Sequence, residues 1–317
     1  MELSVVIPVY NEEESVEPLI RETKSVLETL AKKYELILVD DGSTDGTYPL
    51  LLQLHESEPR IKVVRFKRNF GQTAAIAAGL AYAQGEVIVA MDGDGQNDPG
   101  DIPALLGKLD EGFDLVSGWR FPRQDPFLSR RLPSQMANAL ISWMTQVKLH
   151  DYGCTLKAVR REVARDLKLY GEMHRFIPAM AYERGARIAE IKVHHRPRRW
   201  GKSKYGIART FRVVLDLLTV KFLLNYATRP LHIFGLIGLV SGGGGFLIAV
   251  YLTAQKLYYG AGIGGRPLLL LAVLLIFIGF QFITMGLLGE MLARTYHESQ
   301  GKPIYVVKEF LGERRAQ

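Results

Sequence analysis

The chain has 317 residues, a formal net charge of +7 and hydrophobic residues at 48% of its positions, which excludes an intrinsically disordered protein and allows a sizeable core. Its single cysteine, Cys154, excludes an internal disulfide and any zinc site built from several cysteines. We therefore expect a reducing, cytosolic environment for the first domain. The chain start lacks the basic and long apolar regions of a secretion signal, so we expect no cleaved leader.

The first 120 residues alternate short β-rich stretches with segments of helical periodicity. The predicted strands are 3–7, 35–39, 61–65 and 86–91, and the predicted helices are 13–32, 46–56 and 72–83. This alternation is typical of an α/β fold in which a mainly parallel sheet carries helices on both faces. Ligands of such folds bind at the carboxyl ends of the strands.

Polar loops follow the first three predicted strands. The first loop contains Pro8, Tyr10 and Glu12, and the second begins with Asp40 and Asp41. A carboxylate at a strand end can accept hydrogen bonds from ribose hydroxyls or from a base N–H group. The third loop, 67–72, brings basic and amide groups to the same edge. These loops together predict a nucleotide site.

The fourth predicted strand ends in a loop that contains Asp92, Asp94 and Gln96. Two carboxylates separated by one residue can share a divalent cation with a diphosphate, since Mg²⁺ and Mn²⁺ prefer oxygen ligands. An acidic turn of this kind is common by chance. Its position beside two other acidic strand ends favours a metal and diphosphate site.

A basic segment lies further along the chain. Residues 192–212 contain eight Lys or Arg and no Asp or Glu. Such a cluster indicates nucleic acid or an anionic membrane as a partner. Because hydrophobic stretches follow it and no nucleic-acid-binding motif accompanies it, we expect lipid headgroups or a lipid phosphate, and no nucleic acid.

Two stretches without charged residues, 231–255 and 267–289, each exceed the ~20 residues that cross a membrane core. We predict a transmembrane hairpin, with a buried helix pair in a soluble core as the alternative. Lys and Arg are denser outside the hairpin, which places both termini in the cytoplasm.

Segment 207–230 mixes apolar and charged residues at helical spacing, and we predict that it lies on the membrane surface; a helix packed on the soluble domain is the alternative.

Together these motifs resemble a family 2 glycosyltransferase with the GT-A fold. The segments 150–154 and 201–205 and the hairpin narrow the resemblance to polyprenyl-phosphate glycosyltransferases, a group that includes dolichol-phosphate mannose synthase and bacterial GtrB-type glucosyltransferases. The resemblance covers nearly the whole chain. It implies a GT-A-like catalytic domain, an interfacial segment, a two-helix hairpin and a cytoplasmic tail, at 1–206, 207–230, 231–289 and 290–317.

The resemblance also implies roles for individual residues. The donor nucleotide would be bound by Pro8, Tyr10, Glu12, Asp40, Asp41, Gly71 and Asp92. The metal, Mg²⁺ or Mn²⁺, would be bound by Asp92, Asp94 and Gln96. The acceptor phosphate would be bound by Arg120, Ser129, Arg130, Arg131, Arg199, Lys202, Ser203 and Lys204. The alternative for the basic residues of this last set is simple attraction to anionic lipid.

The resemblance places Asp94 and Asp151 at the catalytic centre, and Asp151 matches the acidic residue usually described as the base. A lipid monophosphate is already anionic near neutral pH, so it needs no base to become a nucleophile. Our hypothesis is that Asp151 orients the acceptor site or the sugar hydroxyls.

The implied reaction transfers a hexose, with inversion, from a nucleotide diphosphate sugar to a polyprenyl phosphate at a bacterial inner membrane. We predict UDP-glucose and undecaprenyl phosphate as substrates, with GDP-mannose and a UDP-aminoarabinose-type donor as alternatives. A processive polysaccharide synthase is a further alternative, but Arg196 stands where its Gln-x-x-Arg-Trp motif has Gln. A non-catalytic membrane-anchored nucleotide-sugar sensor is the alternative from another class.

We also expect a homo-oligomer, because 303–307 reads as an edge strand that could pair with a neighbouring subunit.

Overall fold

The computed structural model describes residues 1–121, 138, 141–142, 145–169, 171, 173–197 and 303–312, and seven isolated helical positions between 277 and 295. In chain order the elements are β1 (Leu3–Val9), α1 (Val16–Thr29), β2 (Tyr34–Asp40), α2 (Thr47–Ser57), β3 (Ile61–Phe66), α3 (Gln72–Tyr82), β4 (Val87–Ala90), α4 (Ile102–Asp110), β5 (Leu115–Arg120), β6 (Lys157–Arg160), α5 (Arg161–Asp166), α6 (Ile177–Glu183), β7 (Ile188–Val193) and β8 (Val307–Leu311). Short 3₁₀ helices lie at Pro99–Asp101 and Met173–Phe176.

The strands form one sheet in the order β7-β5-β6-β4-β1-β2-β3-β8. The pairs β1–β2, β1–β4, β2–β3 and β5–β7 are parallel, whereas β6 is antiparallel to β4 and β5, and β8 is antiparallel to β3. The prediction of a mainly parallel sheet from the first four strands is confirmed. All four parallel strands end at the same edge, which is where the polar loops lie.

Helices cover both faces of the sheet, as predicted. Val5 and Ile7 of β1 belong to a core that also contains the apolar residues of α1, α2 and α4. Val6 points to the other face, where Gly79 of α3 lies so close that a side chain at this position would collide with the Val6 methyl groups. The sequence of α3 is rich in alanine, which allows this close approach of helix and strand. The seven positions of β2 are all buried, as expected for a strand between two helical layers.

The C-terminal tail returns to the sheet. We expected a strand at 303–307 that could pair with a neighbouring subunit, but the strand lies at Val307–Leu311 and pairs with β3 of the same chain. Aromatic contacts hold it there, since Tyr305 stacks on Phe66 with ring centroids 5.0 Å apart. The tail strand therefore gives no support for an oligomer, which stays a prediction.

The chain divides into two compact units, one comprising Met1–Leu217 and Pro303–Gln317 and the other Leu218–Lys302. Within the described ranges, no helix is long and apolar enough to cross a membrane. The predicted interfacial segment and first span, 207–230 and 231–255, lie outside these ranges. So does the second span, 267–289, except for single positions from 277 onward.

Candidate active site

The loops after β1 and β2 are hydrogen-bonded to each other. The backbone N–H of Asn11 donates to Ser43 Oγ at 3.0 Å, and Asn11 Oδ1 accepts from the Thr44 N–H at 2.9 Å. Asn11 has a φ of 52°, a left-handed conformation that Asn tolerates better than most residues. The N–H of Glu12 donates to Thr47 Oγ1 at 2.8 Å. This network fixes the predicted nucleotide-binding loop of Pro8, Tyr10 and Glu12 beside the end of β2.

Asp41 joins the second loop to the third. Its Oδ1 accepts from the Phe70 N–H at 2.6 Å, and its Oδ2 accepts from the Gly71 N–H at 2.9 Å. Burial raises the pKa of Asp41 to about 6; the two amide donors oppose this shift, and the charge of Asp40 adds to it. Two predicted donor residues, Asp41 and Gly71, are thus brought together.

Asp40 is fully buried at the end of β2. Its Oδ1 accepts from the Ser43 N–H at 2.9 Å, and Arg65 Nε lies 3.5 Å from its Oδ2. Among the described residues, no donor makes a hydrogen bond to Oδ2. Asp40 therefore organises the turn at Gly42, whose φ of +72° and close approach to the Arg68 backbone exclude a side chain.

The side chain of Glu12 connects the first loop to the fourth. Glu12 Oε2 accepts from Ser15 Oγ at 2.6 Å, and Ser15 Oγ lies 3.1 Å from the carbonyl oxygen of Gly93. Gln72 at the start of α3 donates from Nε2 to Asp92 Oδ1 at 2.7 Å. The four loops that were predicted from separate motifs therefore form one connected surface.

Asp92 and Asp94 form the acidic pair after β4. Burial, and next the charge of Asp94, raise the pKa of Asp92 to about 6, although the Thr155 hydroxyl, Arg120 and Lys157 lower it. Asp94 Oδ1 accepts from the Gln96 N–H at 3.1 Å, which sets the turn between them. The raised pKa means that a negative charge is unfavourable on Asp92 beside Asp94.

These residues fit a divalent cation. Among the described residues, no group of three or more His, Cys, Asp or Glu side chains is arranged to hold a metal ion. The predicted protein ligands are the oxygens of Asp92, Asp94 and Gln96, and diphosphate and water would complete the shell, as is usual for Mg²⁺. A cation would also relieve the repulsion that raises the pKa of Asp92.

Arg120 and Asp151 form a buried ion pair. Arg120 Nε lies 2.6 Å from Asp151 Oδ2, Arg120 Nη2 lies 2.9 Å from Asp151 Oδ1, and the side chains are 18% and 3% exposed. The Gly153 N–H donates to Asp151 Oδ1 at 3.1 Å, and the Asp151 N–H donates to Glu190 at 3.0 Å. Both carboxylate oxygens of Asp151 are therefore engaged, which favours an orienting role over that of a base. The predicted phosphate ligand Arg120 is held by this pair.

Lys157 was not predicted as a site residue. It is buried on β6, where its Nζ contacts the carbonyl oxygen of Cys154. Burial lowers its pKa, while Cys154, Asp151 and Asp92 act in the opposite direction. The only signal in the sequence is a lysine inside an apolar stretch. Lys157 lies within electrostatic reach of the carboxylates of Asp92 and Asp151.

Arg196 was also missed as part of the site. Its N–H donates to the Gln96 carbonyl oxygen at 2.9 Å, and Gln96 Nε2 donates back to the Arg196 carbonyl oxygen at 3.4 Å. Its guanidinium pairs with Glu22 at 2.6 Å and with Asp98 at 2.8 Å. The start of the basic segment is thereby fixed to the loop that contains Asp92, Asp94 and Gln96.

The remaining predicted acceptor residues lie outside the described residues and stay predictions. They are Ser129, Arg130, Arg131, Arg199, Lys202, Ser203 and Lys204.

Comparisons with known proteins show the family to which the chain belongs. A family model described as "Glycosyl transferase family 2" matches residues 4–168. The chain is 46% identical over 320 residues to dodecaprenyl-phosphate galacturonate synthase of Rhizobium johnstonii, an alignment that covers 99% of this chain and 94% of the relative.

Two solved structures share the fold. Both are glucosyl-3-phosphoglycerate synthase of Mycobacterium tuberculosis, one in complex with Mn²⁺ and UDP-glucose and the other with Mn²⁺, UDP and phosphoglyceric acid. Their TM-scores are 0.55 and 0.54 at 23% and 21% identity, over 69% and 70% of this chain and 78% and 77% of theirs. At this identity the likeness concerns the fold alone.

Proposed function

The chain belongs to glycosyl transferase family 2 and is a glycosyltransferase, and we propose that it transfers one sugar from a nucleotide diphosphate sugar to a polyprenyl phosphate. The observation that carries the proposal is the acidic pair Asp92 and Asp94, in which Asp92 lies within electrostatic reach of Arg120 and Lys157. A diphosphate or a phosphate at this edge of the sheet could therefore bind both to a metal ion held by the carboxylates and to cationic side chains. The relative's name supports a polyprenyl phosphate as the acceptor.

In the proposed reaction, an oxygen of the acceptor phosphate forms a bond to the anomeric carbon of the sugar. The bond from that carbon to the diphosphate oxygen breaks, and its electron pair leaves with the nucleoside diphosphate. Attack from the side opposite the leaving group inverts the configuration. Because a phosphate monoester is anionic near neutral pH, no proton has to be removed first.

In the proposed site, separate sets of residues bind the donor nucleotide diphosphate and the acceptor phosphate. Pro8, Tyr10, Glu12, Asp40 and Asp41 bind the nucleoside. Asp92, Asp94 and Gln96 would hold Mg²⁺ or Mn²⁺, which would neutralise the charge that develops on the diphosphate. Arg120 receives the acceptor phosphate while Asp151 holds its guanidinium in a fixed orientation, since a planar guanidinium suits phosphate. The predicted acceptor residues outside the described ranges would complete the acceptor site; they are Ser129, Arg130, Arg131, Arg199, Lys202, Ser203 and Lys204.

The donor sugar is a separate question. UDP-glucose, our first prediction, has no support from the comparisons, because the 46% identical relative is a galacturonate synthase by name. That name makes a galacturonate donor the second candidate.

We place the enzyme in a membrane, with the catalytic unit and both termini on the cytoplasmic side of a bacterial inner membrane. The tail returns from the second unit to pair with β3, so any membrane crossings between 217 and 303 must be even in number. A hairpin of two spans meets this requirement. The charge distribution around the hairpin supports the orientation.

The test is a transfer assay on the full chain in detergent. We expect radiolabel from one of UDP-glucose, UDP-galacturonate, GDP-mannose or a UDP-aminoarabinose-type donor to enter an organic phase when undecaprenyl phosphate and Mn²⁺ or Mg²⁺ are present. The Asp94→Asn variant is the control. Binding of a nucleotide sugar without any lipid product would favour the sensor instead. A polymer as product would favour the processive synthase.

A further inference from the structure

We propose that two residues of the C-terminal tail, Tyr305 and Glu309, are positioning residues for the nucleotide half of the donor site. The inference rests on the proposed function, because it takes the loops after β1, β2 and β3 to be the nucleotide site. Tail and loops are far apart in sequence, since Glu309 and its partner Tyr48 are 261 positions apart.

The backbone of the tail is fixed against β3. Arg65 pairs in register with Glu309, and Val64 pairs with Phe310. Beyond the strand, the Lys67 N–H donates to the Val306 carbonyl oxygen at 3.0 Å. The ladder shifts its register between Arg65 and Phe66. The tail therefore runs along β3 up to the point where the third loop begins.

A polar series of contacts leads from Glu309 to Asp40. Tyr48 Oη donates to Glu309 Oε2 at 2.6 Å, and the Arg65 guanidinium lies 3.6 Å from the centroid of the Tyr48 ring. Arg65 Nε lies 3.5 Å from Asp40 Oδ2. Arg65 is the cation paired with this buried carboxylate among the described residues. Glu309 thus fixes the ring on which this cation rests.

An aromatic series of contacts leads from Tyr305 to Asp41. The Tyr305 ring stacks on Phe66 at 5.0 Å between centroids, and Phe66 meets the ring of Phe70 edge to face at 5.7 Å. The backbone N–H of Phe70 donates to Asp41 Oδ1 at 2.6 Å. Tyr305 therefore supports the third loop in the position at which it holds Asp41.

Two independent series of contacts from one tail segment end at the adjacent residues Asp40 and Asp41. Neither Tyr305 nor Glu309 needs to touch a nucleotide for this role. The tail follows the predicted membrane hairpin in sequence, and it belongs to the same compact unit as the nucleotide loops.

The experiment measures nucleotide binding to the full chain in detergent by calorimetry, with UDP and GDP as probes in the presence of Mn²⁺. For Glu309→Leu and for Tyr48→Phe we expect the dissociation constant to rise about 3- to 10-fold, in line with the loss of one hydrogen bond to a charged group. The double variant should be no worse than either single variant, because both lose the same contact. Tyr305→Leu should show a similar rise, and Tyr305→Phe should restore binding.

Lys308→Gln is the matched control, since Lys308 is exposed on the same strand. It should bind nucleotide as the wild type does. In all variants the kcat and the KM for the polyprenyl phosphate should stay unchanged, which separates a positioning role from general loss of structure.

Wild-type nucleotide affinity in Glu309→Leu and in Tyr305→Leu would overturn this inference and leave the proposed function standing. The inference would also be overturned if Tyr305→Phe bound nucleotide as weakly as Tyr305→Leu and if the affinity for the polyprenyl phosphate fell by the same factor. A wild-type protein that binds nucleotide but transfers no sugar would overturn the proposed function and leave the inference supported if the variants bind more weakly. A wild-type protein that binds neither nucleotide would overturn both.

Discussion

The donor side and the acceptor side of the sheet edge are held together by different forces. On the donor side, backbone N–H groups and the Gln72 amide donate hydrogen bonds to side-chain oxygens of neighbouring loops, as at Asp41, Asn11 and Asp92. On the acceptor side, the charged groups Arg120, Asp151 and Lys157 compensate one another in a buried environment. Loss of a donor-side contact removes one hydrogen bond, whereas loss of an acceptor-side partner leaves a buried charge, which costs far more.

The largest expected effect comes from the carboxylates that lie between the two sides. Asp94→Asn removes a charged metal ligand, so we expect the transfer rate to fall about 10³-fold or more, in keeping with several kcal/mol of metal stabilisation. Asp110→Asn, on the exposed end of α4, makes the same chemical change away from the site and should leave the rate unchanged. Metal binding is followed by the Mn²⁺ electron paramagnetic resonance signal. Full activity of Asp94→Asn would contradict a role for a metal ion bound by Asp94 in the transfer.

The second change breaks the acceptor side. Asp151→Asn leaves Arg120 buried without its counter-charge, so we expect the free energy of unfolding to fall by about 3 kcal/mol. We expect kcat to fall about 100-fold, because the guanidinium is no longer oriented for the phosphate. Urea unfolding and initial rates measure the two quantities, with the exposed Asp166→Asn as the control.

The pH dependence of Asp151→Asn then separates two roles. If Asp151 orients Arg120, the profile of kcat against pH keeps its shape at a lower level. If Asp151 is a base, the fall in activity on the acid side of the wild-type profile disappears in the variant.

A smaller effect is expected where the two sides are joined. Arg196→Gln removes the ion pairs with Glu22 and Asp98, whereas the hydrogen bonds between the backbone of residue 196 and Gln96 remain. We expect the metal concentration for half-maximal activity to rise about 3- to 10-fold, because one partly exposed network of charges is lost. The variant also restores the Gln of the processive motif. Its product should still carry one sugar, and a longer product would contradict our choice between the two enzyme classes.

The smallest effect concerns stability. His174 is buried and hydrogen-bonded to Thr73, and burial, followed by the charges of Arg175 and Lys157, lowers its pKa well below the usual value. Below about pH 6.5 the unfolded chain therefore binds a proton that the folded chain does not, so stability falls as the pH falls, by up to about 1.4 kcal/mol per pH unit. His174→Gln should remove this part of the pH dependence. Denaturant unfolding at pH 7 and pH 5 measures the change in the free energy of unfolding. An equal change in the wild type and in the variant would contradict the prediction.

The donor side could be read from the sequence because it is built from consecutive strands and helices. Each strand end carried its own polar motif, and parallel strands necessarily bring those ends to one edge. The predicted residues Asp41 and Gly71 do meet, as do the loops of Glu12 and Asp92.

The acceptor side could not be predicted in the same way because its contacts are long-range. β6 enters the sheet antiparallel between β4 and β5, which pairs Lys157 with Ala90, two residues before Asp92, although no local pattern marks it. Arg196 reaches Glu22 across 174 positions, and the antiparallel tail pairs with β3. Such pairings depend on the whole topology, not on periodicity or motif spacing.

The most direct test of the central claim identifies both products of one turnover by mass spectrometry. The account predicts that undecaprenyl phosphate gains the mass of a single sugar residue and that one nucleoside diphosphate is released for each lipid modified. Release of a nucleoside monophosphate with a diphosphate-linked lipid would contradict it, because the bond broken would then lie between the phosphates and not at the anomeric carbon.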